Sequence, residues 1–196
     1  DELLCDATSH IYNYEGGGIA FNSGVQAKLL QGDRGRLRAK QIEESINPNF
    51  DWLTRTSLVS IENTCNRAGG SFYDLAMMQE INAVCRKHYL KYHLDGARIF
   101  NALCETTSPL LRQAQDKLPL LKERGEIFSL AFEVGKLFDS ISVCLSKGLG
   151  TPAGSLLLGN KELVQKARRI RKVFGGGMRQ AGFLAAAGIY ALDNNI

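Results

Sequence analysis

The sequence predicts an α/β protein with a mostly parallel sheet and flanking helices, and three observations carry that prediction. Runs of β-forming residues alternate with stretches whose apolar residues recur at helical spacing, the order that builds βαβ layers. The strand candidates are short and nearly all apolar, as in "ISVCL" and "SLLLG". Turn residues punctuate their ends; Gly148, Gly150 and Pro152 force a sharp connection between those two runs.

Taken in order, "RLRAKQIEESI" (36–46) is a polar helix candidate. "TSLVSIEN" (56–63) reads as a strand, and "TCNRAGGS" after it as a loop. "DLAMMQEINAVCRKH" (74–88) has helical periodicity with Asp74 as its N-cap, and "KYHLD" (91–95) is a short strand. "FDSISVCL" and "GSLLLGN" supply two buried strands. "KELVQKARRIRK" (161–172) is a basic helix with Leu163, Val164, Ala167 and Ile170 on one side, and "MRQAGFLAAAGIYAL" (178–192) is helical and rich in small residues.

A chain of 196 residues can bury one substantial core, so one domain is the default. Its 44% apolar and 22% charged content is ordinary for a globular protein. Nothing resembles a signal peptide or an eighteen-residue apolar span, which leaves a membrane role unsupported. The five cysteines (5, 65, 85, 104 and 144) form no CxxC pair and have no zinc-like spacing. They read as reduced thiols of a cytoplasmic protein. Much of the net charge of +4 comes from the basic helix, which lacks aromatic interleaving and reads as a solvated face, not a nucleic-acid surface. The chain starts without Met and stops as a helix ends, and is read as a piece of a longer protein.

The glycine loops carry little. "GLGTPA" (148–153) spells the dinucleotide fingerprint, but Pro152 and the strand after it stand where a helix must open. "GSLLLGNK" has Asn160 where a P-loop needs Lys, and "GGGI" (16–19) and "GGGM" (175–178) have no phosphate context.

Ligands of parallel sheets gather beyond the carboxyl ends of the strands. That rule points to Glu62 and Asn63, to Asp95, and to Lys147. Lys147 is the one charge between Asp139 and Lys161, and an ammonium there is paired, pushed toward neutrality or bonded to something. In "HLDGARIFNA" (93–102), Asp95 admits two readings. It caps the next helix with Arg98 as a local ion-pair partner, or it works with Lys147. A lysine that forms a Schiff base and a carboxylate that keeps a pyridine nitrogen protonated are what a pyridoxal phosphate enzyme must supply.

"SHIYNYEGGG", "RTSLVSIENTCNRAGG", "HLDGARIFNA", "FDSISVCLSKGLG", "GSLLLG" and "RKVFGGGMRQAGFLAAAGIYAL" resemble the threonine aldolase branch of the β-eliminating lyases, across nearly the whole chain. That family consists of fold-type-I pyridoxal 5'-phosphate enzymes. The resemblance implies residues 1–196 are part of the large domain of an aspartate aminotransferase-like fold, with the phosphate-binding part before residue 1 and the small domain after residue 196. It implies Lys147 as the Schiff-base lysine, Asp95 as the pyridine-nitrogen partner, and Arg98 near the cofactor's 3-oxygen or a nearby polar group. His10 would stack on the cofactor ring and help deprotonate the substrate hydroxyl; without the family it reads as a loop histidine. Lys172 and Arg179 would serve the substrate or a neighbouring subunit's cofactor, and otherwise read as surface charge. His93 reads as structural, and His88 as a favourable charge at a helix end.

The implied reaction cleaves the Cα–Cβ bond of L-threonine or L-allo-threonine to glycine and acetaldehyde. Alternatives are β-elimination from another β-substituted amino acid, or a non-catalytic fragment active only in subunit assembly. The implied partners are a small β-hydroxy amino acid and further copies of the chain in a dimer of dimers, with no nucleic acid or membrane. Two departures stand out. Cys65 replaces a histidine frequent in the family, which bears on substrate preference, and region 108–136 is longer than the family spacer and reads as a surface insertion with some helix.

Overall fold

β1 (Glu2–Asp6) opens the chain with every residue buried, in a computed structural model that describes residues 1–107 and 119–196. After it come α1 (His10–Asn13), α2 (Gly18–Ser23), β2 (Gln26–Leu30), α3 (Ala39–Glu44), β3 (Thr56–Glu62), α4 (Leu75–Lys87) and β4 (Lys91–Asp95). The second half holds α5 (Ile99–Thr107), α6 (Pro119–Gly135), β5 (Ser140–Cys144), β6 (Ser155–Gly159), α7 (Lys161–Val173) and α8 (Gly182–Asn194). The strands form one sheet in the order β2-β1-β3-β4-β5-β6, parallel except for the antiparallel β5–β6 pair. The mostly parallel α/β architecture is therefore the one the alternation of elements predicts.

Register decides where the chemistry falls. Glu62 pairs with Asp95 across β3–β4, and Asp95 with Ser142 across β4–β5, so the carboxyl ends of three strands meet in one row. Beneath that row, Leu4, Val59, Ile61, Tyr92 and Leu94 form the middle of the core. α4 covers them with Met78, Ile81, Val84 and Cys85, the helical spacing read from the sequence, and Asp74 caps it by accepting the Met77 N–H at 2.8 Å.

Several elements differ from expectation. The helix expected over 36–46 is only Ala39–Glu44, and the last helix starts at Gly182, after "GGGMRQA". "SLLLG" is not buried: β6 pairs only with β5 among the described residues, and Leu156, Leu157 and Leu158 are 42–46% exposed. An apolar run reports that burial is wanted, not which edge of a sheet the strand occupies. Region 108–136 is not a mere surface insertion, since α6 places Ile127 and Val134 in the core against α5; residues 108–118 lie outside the described part.

β1 reads poorly because acids flank its apolar centre. Glu2 is 1% exposed, and its carboxylate accepts from the side chains of Gln26, Asn47, Thr54 and Thr56 with Lys28 at 3.9 Å. Those partners make burial of the charge tolerable. Tyr92 shows the opposite case. It is fully buried against Phe138, ring centroids 4.2 Å apart, and its hydroxyl has no hydrogen-bond partner among the described residues. Tyr92→Phe removes that unsatisfied group and is expected to raise stability by about 1 kcal/mol in urea denaturation. A loss of stability would show that the hydroxyl is bonded.

Candidate active site at the carboxyl ends of the strands

A cavity of about 200 Å³ opens over the row of strand ends, and Asp95, Lys147, Arg98, His10, Glu62 and Glu15 all line it. A larger cavity of about 550 Å³ lies at the opposite, amino ends of β3 and β4. Its cations are already matched: Arg55 with Asp1, Lys91 with Asp139 and His88 with Glu43. The smaller cavity offers cations without carboxylate partners among the described residues, which makes it the candidate site.

Lys147 sits in the bend after β5. Its carbonyl accepts the Gly150 N–H at 2.9 Å, and Gly150 takes the left-handed conformation (φ +72°) that this turn requires. The ammonium has no carboxylate partner among the described residues and is exposed. Asp95 ends β4 and is 8% exposed. Its Oδ1 accepts the Ala97 N–H at 3.3 Å, and Oδ2 receives no hydrogen bond from the described residues. Gly96, next to it, donates to the Ser142 carbonyl at 2.8 Å, and a Cβ there would lie 3.0 Å from that oxygen. The glycine thus lets β4 and β5 stay close where the cavity begins.

Asp95 makes no ion pair with Arg98, and α5 begins at Ile99, too far on for Asp95 to be its N-cap. The helix-capping reading is therefore replaced by a turn contact that leaves the carboxylate on the cavity wall. Arg98 lines the same cavity half-buried and without a carboxylate partner among the described residues.

His10 is the first residue of α1. Its N–H donates to Glu62 Oε2 at 2.9 Å, its ring Nδ1 lies 3.0 Å from Glu15 Oε1, and the ring leans on Tyr14 at 4.9 Å. Glu62 is 6% exposed and was flagged in the sequence only as a strand end; Glu15 carried no signal there beyond its place in "YEGGG".

Other expected residues fall elsewhere. Lys172 and Arg179 are exposed and do not line the cavity. Cys65 is 2% exposed, and its thiol donates to the Glu62 carbonyl at 3.2 Å and lies 3.5 Å from the Gly35 carbonyl. Burial pushes that thiol up to about 11, and Cys65 does not line the cavity, so it is a spent donor outside the site and not an acid or base of it. His93 bonds Ser140 Oγ at 2.7 Å, and burial pulls its ring below the ordinary histidine range, consistent with a structural role. His88 sits at the end of α4 as expected and pairs with Glu43 at 2.8 Å.

Residues 1–196 match the beta-eliminating lyase family over their whole length. The chain belongs to that family. It is 38% identical to the low specificity L-threonine aldolase of Escherichia coli, matching 100% of this chain and 52% of that protein. It is 35% identical to the low specificity L-threonine aldolase of Saccharomyces cerevisiae, over 98% of this chain and 44% of that one. The chain therefore spans about half the length of the curated relatives it matches. Among solved structures, the threonine aldolase of Leishmania major superposes with a TM-score of 0.76 at 23% identity, covering 99% of this chain and 51% of that one. An aminotransferase from Candida albicans superposes at 0.61 with 16% identity, over 100% and 39%. These likenesses establish the β-eliminating lyase chain as part of the aspartate aminotransferase-like fold. Among its described residues, no helix is long and apolar enough to cross a membrane, and no group of three His, Cys, Asp or Glu could hold a metal ion.

Proposed function

We propose that the full-length protein is a pyridoxal 5'-phosphate-dependent aldehyde-lyase that cleaves L-threonine and L-allo-threonine to glycine and acetaldehyde. The observation that carries the reading is one cavity lined by both the uncommitted amine of Lys147 and the buried carboxylate of Asp95, in a chain 38% identical to a low specificity L-threonine aldolase.

The donor set suits the cofactor. About 200 Å³ accepts a single heteroaromatic ring, and an Asp95 oxygen, Arg98 and Lys147, each without a partner among the described residues, supply one group each for nitrogen, ring oxygen and aldehyde. When bound, pyridoxal phosphate supplies an electron sink for the pair released as the Cα–Cβ bond breaks. Lys147 would hold the aldehyde carbon, and its exposed bend lets the amine swing aside for an incoming amino group. Asp95 would keep a proton on the ring nitrogen from a fixed, low-dielectric position. Arg98 would lie beside the 3-oxygen. His10 would cover one ring face and take the proton of the substrate's β-hydroxyl.

The protein works in the cytosol as a dimer of dimers, in which Lys172 and Arg179 reach toward a neighbouring subunit's site. Exposed Phe183 (90%), Ile189 and Tyr190 on α8 support such packing, and five free cysteines suit a reducing compartment.

The test is to offer L-threonine, L-allo-threonine and an aromatic amino acid to the intact enzyme loaded with pyridoxal phosphate. Glycine and acetaldehyde from the first two are expected. Ammonia and a 2-oxo acid in their place would move the enzyme to β-elimination, and no product with any substrate would leave only an assembly role.

A further inference from the structure

Two carboxylates line the cavity beside His10 without a part in holding cofactor or substrate. We infer that Glu15 and Glu62 are positioning residues that grip His10 by ring and by backbone, so that its Nε2 faces the cavity as the proton acceptor. The inference rests on the lyase reading for its chemical meaning, though not for its geometry.

The ring contact sets the tautomer. Glu15 Oε1 lies 3.0 Å from Nδ1, and an anionic oxygen that close repels a bare ring lone pair and favours a hydrogen on Nδ1. In the neutral imidazole Nε2 is then bare, and it takes no hydrogen bond from the described residues. Tyr14 against the ring limits its rotation. The pair is partly exposed (32% and 56%), so it contributes little to stability and acts through orientation.

The backbone contact sets the place. The first N–H groups of a helix have no partner within it. Glu62 Oε2 accepts that of His10 at 2.9 Å, while Oε1 accepts the Asn66 N–H at 2.9 Å from the loop after β3. One buried carboxylate thereby ties the start of α1 to the end of β3, in the register row that holds Asp95.

In the cleavage, the β-hydroxyl O–H bond breaks and its proton passes to Nε2. The oxygen's freed pair becomes the carbonyl of the departing aldehyde, and the electrons of the broken Cα–Cβ bond remain with Cα. Glu15 then faces an imidazolium and offsets its charge, as a carboxylate does behind any histidine base.

Nitrogen-15 NMR of the full-length protein, before any substrate is added, reads the tautomer directly. Wild type is expected to show His10 chiefly as the Nδ1–H form, and Glu15→Ala to shift it toward the Nε2–H form. With L-threonine, Glu15→Ala should lower kcat about 10- to 100-fold. KM and the visible absorbance of bound cofactor should not change. Glu62→Gln, which keeps one accepting oxygen and turns an amide donor toward the other backbone N–H, should lower kcat by a smaller factor with the same absorbance, the fold being checked by circular dichroism. Neither substitution should add to the loss caused by His10→Asn, because both act through that ring. A wild-type ring in the Nε2–H form, an unchanged tautomer in Glu15→Ala, or losses that multiply in the His10→Asn background would each overturn the inference. A wild-type enzyme that leaves threonine intact would defeat the lyase reading instead, and the NMR result would still decide the positioning.

Discussion

Lys147→Ala is expected to abolish cleavage of L-threonine by the full-length enzyme and to remove the visible absorbance of bound pyridoxal phosphate. The loss should be on the order of 10³-fold or more, because a covalent anchor has no substitute in the cavity. Folding should survive: the side chain is exposed and makes no ion pair among the described residues, and such surface changes stay within about 0.5 kcal/mol. Circular dichroism and a urea midpoint would check that. Turnover that persists in the variant would remove Lys147 from the chemistry and the aldehyde-lyase proposal with it.

Asp95→Asn is expected to cost about 10²–10³-fold in kcat, the range seen when one preorganised electrostatic contact to a developing charge is lost. The substitution isolates charge from shape. An asparagine keeps an oxygen for the Ala97 N–H, so the turn after β4 should persist. It also relieves the cost of an ionised group that is 8% exposed, so stability should not fall. Stopped-flow spectra should show cofactor bound but reaction slowed. A rise in KM with kcat intact would mean that Asp95 only binds, and its role toward the ring nitrogen would have to be given up.

How much of this was legible in the sequence follows from how local each signal is. α4 carries its spacing and its Asp74 cap within one segment, and β3 and β4 carry their β-formers likewise, so all three fall where expected. Asp95 and Lys147 could be singled out because one is a charge closing the strand "KYHLD" and the other a lone charge just after the run "ISVCL". β1 could not: Glu2 is buried only because Asn47, Thr54 and Thr56 arrive from far along the chain. The exposure of β6 depends on sheet order, which periodicity does not encode. Glu15 was silent, and Glu62, though singled out as a strand end, gave no sign of its contact with His10, for a third reason. A carboxylate that lies against a ring or accepts from a backbone N–H leaves no pattern in spacing, and only the fold brings it to His10.

The crossover order of the sheet has a kinetic meaning. Each parallel neighbour must wait for a connecting segment to close, so contacts are long in sequence and folding is slow relative to a helical bundle of equal size. Positions 10, 62, 95 and 147 converge only after that closure. On the lyase proposal, a half-formed species lacks the converged groups that would hold pyridoxal phosphate, and the bound cofactor would act as a latch, adding its binding free energy to the stability of the sheet. Cofactor uptake should therefore serve as a reporter of completed folding.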